Sequence, residues 1–184
     1  MNSAASIDSI VLLYSTWGNE KYDEEITQLA HALQCAALAH HEGAIDELIA
    51  SALLHDIGHL FELQRHNGPN YDTDLRHETT GSEFLSELFP SSVTVPIALH
   101  VEAKRYLAAN EPGYFDALSL GSKRSLDVQG GPMSPQESAD FVARDGSDRA
   151  VQLRRWDDRG KVVDLEVRNL EFWIPLLNRV AASR

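Results

Sequence analysis

The sequence predicts an all-α fold, and three observations carry that prediction. Apolar residues recur at three- and four-residue spacing in several segments. Glycine and proline fall where those segments stop, and one helix start is spelled out by its capping residues. Leu29, Leu33, Ala36 and Ala37 share one face of a helix from about 23 to 41, which Gly43 ends. A second helix from about 44 to 62 carries Ile45, Leu48, Ile49, Ala52, Leu53 and Leu60, a stripe broad enough for a buried position. The polar stretch from Gln64 to Arg76 contains Gly68-Pro69 and reads as a loop. A third helix covers about 77–88 and stops before Pro90, and a fourth runs from about 92 to 109 with Pro96 in its first turn. Residues 110–133 are rich in Gly, Ser and Pro and read as a long loop with one short helix at most. Ser134-Pro135-Gln136-Glu137 has an N-cap serine, proline at the first position and glutamate at the third. It opens a helix over about 135–156, with Asp145-Gly146 as a candidate break, and a last helix covers 164–181. No repeat and no linker divides the chain, so one domain is expected over 1–184, with its core from about 22 to 175.

The 184 residues include 28 acidic and 16 basic side chains, a formal charge of −12. That balance argues against nucleic acid or anionic lipid as a main partner, since both need a basic footprint. A hydrophobic fraction of 43% is ordinary for a folded chain and argues against disorder. The one cysteine, Cys35, excludes an internal disulfide and suits a reducing cytoplasm. No apolar run approaches the roughly 20 residues that span a bilayer, and the N-terminus lacks a basic segment followed by an apolar one. A soluble, cytoplasmic protein without nucleic-acid or membrane partners is expected.

The stretch Leu53-Leu54-His55-Asp56-Ile57-Gly58-His59 sets an imidazole beside a carboxylate in an apolar segment. Burying both without partners costs several kcal/mol, which a divalent metal would offset. Other candidate donors are dispersed over separate helices: His31 in the first, His77 opening the third, His100 inside the fourth, and Asp157 after Trp156. His31, His55, Asp56, His77, His100 and Asp157 make six potential ligands. One ion takes three or four, so six fit two metals with exchangeable positions left open. Imidazole and carboxylate without thiolate favour iron, manganese or another borderline-to-hard ion over structural zinc. His40, His41 and His66 read as solvated surface.

The His…His-Asp…Asp order resembles the HD-domain superfamily of all-helical metalloproteins, and His77 and His100 resemble its binuclear branch. The stretch from Thr27 to Gln34, with Leu53 to His59, is similar to the mixed-valence di-iron oxygenases of organophosphonate catabolism, a resemblance that runs from about Tyr22 to Trp173. It implies two iron ions (Fe2+/Fe3+) and O2-dependent cleavage of the carbon–phosphorus bond. The implied substrate is a 1-hydroxy-2-(amino or trimethylammonio)ethylphosphonate, giving glycine or glycine betaine plus phosphate. The alternative sharing these ligands is a metal-dependent HD-domain phosphohydrolase acting on a nucleotide or other phosphate ester.

A phosphonate dianion also needs fixed donors. Lys104 is one helical turn beyond His100, Arg154 nearly one turn before Asp157, and His59 one turn after His55. The resemblance implies that His59, Lys104, Ser122 and Arg154 hold the phosphonate. Ser125 and Gln129, in the predicted loop, add a hydroxyl and an amide. The acidic segment from Tyr22 to Glu25 precedes the first ligand helix. There the resemblance implies a tyrosine and a glutamate, Tyr22 and Glu24, that gate the open iron position and meet the substrate ammonium. Tyr22 is one residue out of the family's spacing.

Overall fold

The computed structural model describes residues 5–21, 25–66 and 76–183, so Tyr22 and Glu24 lie outside the described residues. The architecture is all-α, as the hydrophobic periodicity predicts. An isolated bridge pairs Lys21 with Thr27, and no strand occurs among the described residues. In chain order the helices are α1 (Ile7–Trp17), α2 (Gln28–His41), α3 (Asp46–Leu54), α4 (Ile57–His66), α5 (His77–Ser86), α6 (Ser91–Asn110), α7 (Tyr114–Ala117), α8 (Leu120–Val128), α9 (Pro135–Val142), α10 (Ser147–Arg159) and α11 (Leu170–Ala182). Among the described residues, no helix is long and apolar enough to cross a membrane.

Local chemistry sets the helix ends. Ser134 and Glu137 form the predicted capping box with Pro135 at the first position. Thr27 caps α2 by accepting from the Ala30 amide, and Asn169 caps α11 by accepting from Phe172. The break expected near Asp145-Gly146 is present: Gly146, at φ 81°, separates α9 from α10.

Helix α6 passes through the centre, with α3, α5 and α10 packed on it. It buries Val93, Ile97, Leu99 and Ala103 together with three polar side chains, Thr94, His100 and Lys104. A continuous apolar core joins Ile10, Leu53, Ile57, Leu85, Leu153, Trp156 and Trp173 from six further helices. Helices α4 and α5 approach backbone to backbone through Gly58 and Gly81.

The structure departs from the sequence reading at several places. The single helix expected over 44–62 is two, broken at His55-Asp56. The loop expected over 110–133 contains α7 and α8, the latter capped by Ser119 and anchored by buried Leu126. The last helix starts at Leu170 rather than 164, because Asn169 supplies its cap. Pro96 stands in the second turn of α6 and not the first, where α6 continues without its amide; Ser51 Oγ donates to the nearby Val93 carbonyl at 2.9 Å.

Candidate metal centre and anion seat

Six donors meet between α2, the α3–α4 break, α5, α6 and α10. The break matters first. In one straight helix, Asp56 would point about 100° away from His55. With the helix interrupted, His55 Nε2 and Asp56 Oδ2 come to 3.3 Å. Asp56 Oδ2 is also 3.5 Å from His31 Nε2, while its Oδ1 is 3.4 Å from His77 Nε2 and 3.6 Å from His100 Nε2. One carboxylate therefore faces two groups of imidazoles. Asp157 joins the first group, its Oδ1 lying 3.3 Å from His31 Nε2 and its Oδ2 3.8 Å from His55 Nε2.

The donor chemistry fits a cation in each group. Nδ1 of His31 meets the Gly160 carbonyl at 2.8 Å, that of His55 the Ala52 carbonyl at 3.0 Å, and that of His100 the Ile97 carbonyl at 2.7 Å. A carbonyl only accepts, so each Nδ1 carries the proton and each Nε2 turns a lone pair inward. His31 and His55 then oppose their Nε2 atoms at 3.2 Å, and His77 and His100 at 3.1 Å. The opposed lone pairs of His31 and His55, flanked by carboxylates, repel one another unless positive charge lies among them.

The electrostatics point the same way. Burial would raise the Asp56 carboxyl, but His55, His100 and His31 hold it well below the usual carboxylate range. Asp157 is likewise lowered against burial by Arg154, Lys161 and His31. Burial opposes charge on His31, yet Cys35, Asp157 and Asp56 lift its pKa well above the ordinary imidazole value. Cys35 Sγ lies 3.7 and 3.8 Å from the two ring nitrogens of His31 and reaches the Trp156 carbonyl at 3.6 Å. It sits against the ring instead of facing Nε2, so it packs beside the donors.

His59 stacks on His77 with ring centroids 3.8 Å apart, and its Nδ1 meets Glu62 Oε2 at 3.0 Å. Burial lowers the His59 pKa, but Glu62 together with Asp56 and Glu78 carries it above the ordinary value.

A candidate anion seat adjoins the donors. Lys104 is 2% exposed, and its Nζ donates to Ser125 Oγ at 2.7 Å. Burial, with the charge of Arg154, lowers the Lys104 pKa to about 7. Arg154 is gripped on several sides: Nη1 meets Asp157 Oδ2 at 2.7 Å, Nη2 donates to Asp158 and to Ser122 Oγ, and Nε donates to Tyr114 Oη at 3.2 Å. Tyr114 in turn donates to Asp158. Lys161 Nζ reaches Ser122 Oγ at 2.9 Å and Asp157 Oδ1 at 3.5 Å. Ser122 Oγ thus accepts from two cations, which leaves its own proton for a further acceptor. Donors outnumber acceptors here, as an anion requires.

Residues 28–126 match the HD domain. The chain belongs to the HD-domain family. Its HD relatives include the hydroxymethylphosphonate dioxygenase of Gimesia maris, 46% identical over 167 residues that cover 90% of this chain and 83% of the relative. They also include the [1-hydroxy-2-(trimethylamino)ethyl]phosphonate dioxygenase (glycine-betaine-forming) of Leisingera caerulea, 36% identical over 98% of this chain and 92% of the relative. An uncharacterised protein of Acanthamoeba polyphaga mimivirus is 32% identical over 94% of this chain and 80% of its own length.

In this HD-domain chain, the residues singled out from sequence fall into three sets. His31, His55, Asp56, His77, His100 and Asp157 converge, with His59 stacked beside them. Lys104, Ser122, Ser125 and Arg154 surround the seat, although the two serines stand on α8 and not in a loop. Gln129 is the C-cap of α8, with its Oε1 buried and without a hydrogen-bond partner among the described residues. Sequence reasoning missed Tyr114, Asp158, Lys161 and Glu62. Asp158 and Lys161 had a signal, each four residues beyond a chosen residue (Arg154 and Asp157). Tyr114 had none.

Proposed function

We propose that this protein cleaves the carbon–phosphorus bond of a small 1-hydroxyalkylphosphonate with O2, using two iron ions held by His31, His55, Asp56, His77, His100 and Asp157. The observation that carries the reading is Asp56, whose two oxygens face separate imidazole groups within 3.3 to 3.6 Å, next to a donor-rich seat. The names of two relatives, both phosphonate dioxygenases, support the same reaction class over a hydrolase.

Bound there, iron supplies redox reaction with dioxygen and Lewis-acid polarisation of the substrate's oxygens. The rest is work for the chain. Asp56 would help to hold both ions, and the backbone carbonyls of Gly160, Ala52 and Ile97 fix the rings of His31, His55 and His100. The group of His77 and His100 has fewer donors than that of His31, His55 and Asp157, so an ion held there would have more room for the substrate. Lys104, Ser122, Ser125 and Arg154 would orient the phosphonate and draw charge from it, with His59 stacked on His77 nearby. Tyr22 and Glu24 would gate the open position and receive a substrate ammonium. The overall balance is substrate plus one O2 giving a carboxylate, phosphate and one proton. A 2-amino substituent gives glycine, a trimethylammonio substituent glycine betaine, and hydroxymethylphosphonate gives formate.

The test is phosphate release from iron-loaded protein, purified anaerobically and supplied with each of these three phosphonates, with and without O2. Strictly O2-dependent release is expected. Turnover of phosphate esters without O2, sustained by manganese or magnesium, would move the assignment to phosphohydrolase.

A further inference from the structure

Lys161 is a charged residue turned inward among apolar neighbours turned outward. It follows Gly160, the C-cap of α10, on a segment where Val162 is 50% exposed and Val163 48%. Its own side chain is only 16% exposed. Ordinary burial would reverse this order, since lysine is among the residues least often buried and valine among the most.

The backbone on both sides of Lys161 is pinned to α2. The Gly160 carbonyl accepts from His31 Nδ1 at 2.8 Å. The Val162 amide donates to Gln34 Oε1 at 3.0 Å, and the Val162 carbonyl accepts from Gln34 Nε2 at 2.7 Å. Gln34 is itself buried. Between these clasps the Lys161 ammonium is fixed over Ser122 Oγ at 2.9 Å, on the serine that also accepts from Arg154. Lys104 and Lys161 lie close enough for each charge to act on the other. Arg154 is already matched by Asp157 and Asp158. The Lys161 ammonium, which also meets Asp157 Oδ1 at 3.5 Å, stands between Asp157 and the seat.

We propose that Lys161 is a substrate-binding residue, the second ammonium of the phosphonate seat opposite Lys104. The proposal rests on the reading of that seat as the place of the phosphonate. It assigns to the α10–α11 connection, outside the helices that carry the other contacts, a direct part in holding the substrate.

The test is calorimetric titration of the metal-loaded protein with inorganic phosphate, on wild type, Lys161→Met, Lys161→Arg and Lys104→Met, with bound metal measured for each. Expected are a loss of affinity of about 10- to 100-fold in Lys161→Met, recovery of most of it in Lys161→Arg, and unchanged metal content. Activity should show the loss chiefly in KM. Full phosphate affinity in Lys161→Met while Lys104→Met is impaired would overturn the proposal and leave the seat standing. Full affinity in both variants would sink the seat itself. If Lys161→Met also loses metal, and excess metal restores its phosphate affinity, Lys161 supports Asp157 and the proposal fails.

Discussion

Gly58 lies against His77 so closely that a β-carbon on residue 58 would fall 2.0 Å from the His77 carbonyl oxygen and 2.8 Å from its Cα. The contact is backbone on backbone, at the first residue of α5 and two residues beyond Asp56. It sets the distance between Asp56 and His77, and so between the two imidazole groups.

Gly58→Ala should therefore damage the centre more than a surface alanine could. The helices must separate, moving His77 off Asp56. We expect a loss of at least about 3 kcal/mol in denaturant unfolding and of one metal equivalent. Unchanged metal content and stability would show that the approach is not needed.

The donor grouping predicts an ordered loss of metal. His77→Ala or His100→Ala should leave one of two bound equivalents, and Asp56→Ala should disturb both. Elemental analysis of anaerobically loaded protein reads this directly, and equal retention in all three variants refutes the shared carboxylate. Because metal bound at a thousand times its Kd contributes about 4 kcal/mol, chelation should lower Tm on the order of 10 °C.

Lys104 should be a burden on stability. With its pKa lowered to about 7 by burial, the folded chain releases its proton well before the unfolded chain does, near 10.4. The penalty is full below pH 7, shrinks as pH rises between the two values, and is gone above the upper one. Lys104→Met is thus expected to raise the unfolding free energy by a few kcal/mol at pH 6, with little difference near pH 10.5, and to weaken phosphate binding. Lower stability of the methionine variant at pH 6 would contradict this.

His59 and Glu62 carry the opposite sign. The raised imidazole pKa means that the charged ring adds stability, complete below its ordinary value of about 6.5 and lost as pH rises through the folded value. Glu62→Gln should cost about 1–3 kcal/mol at pH 5.5 and much less at pH 9. A cost that does not vary with pH would show that Glu62 serves packing alone.

Most of the helices and the converging donors were legible because both depend on local spacing. His31, His77 and His100 stand in helical segments, and the His55-Asp56 pair is conspicuous within its apolar stripe. The break between α3 and α4 was hidden by that same stripe, since Leu53, Leu54, Ile57 and Leu60 keep helical spacing across it and all face the core. Helix α8 was obscured by its composition: Gly121, Ser122 and Ser125 read as loop, yet Ser119 caps the segment and Leu126 anchors it. Helix α1 went unread despite a capping box of Ser6 and Ser9 ahead of Ile10, Leu13 and Tyr14. Tyr114 needed the tertiary fold, because its partner Asp158 is 44 residues distant in sequence.

The end of α10 places Arg154, Asp157, Asp158 and the Gly160 carbonyl in successive register before the chain leaves toward Lys161. Adding or deleting one residue there would swing everything downstream by about 100°. The Asp157 carboxylate, the His31 ring and Lys161 would lose their shared register at once, so changes of length in this protein belong at Gly130-Gly131 and not at the end of α10.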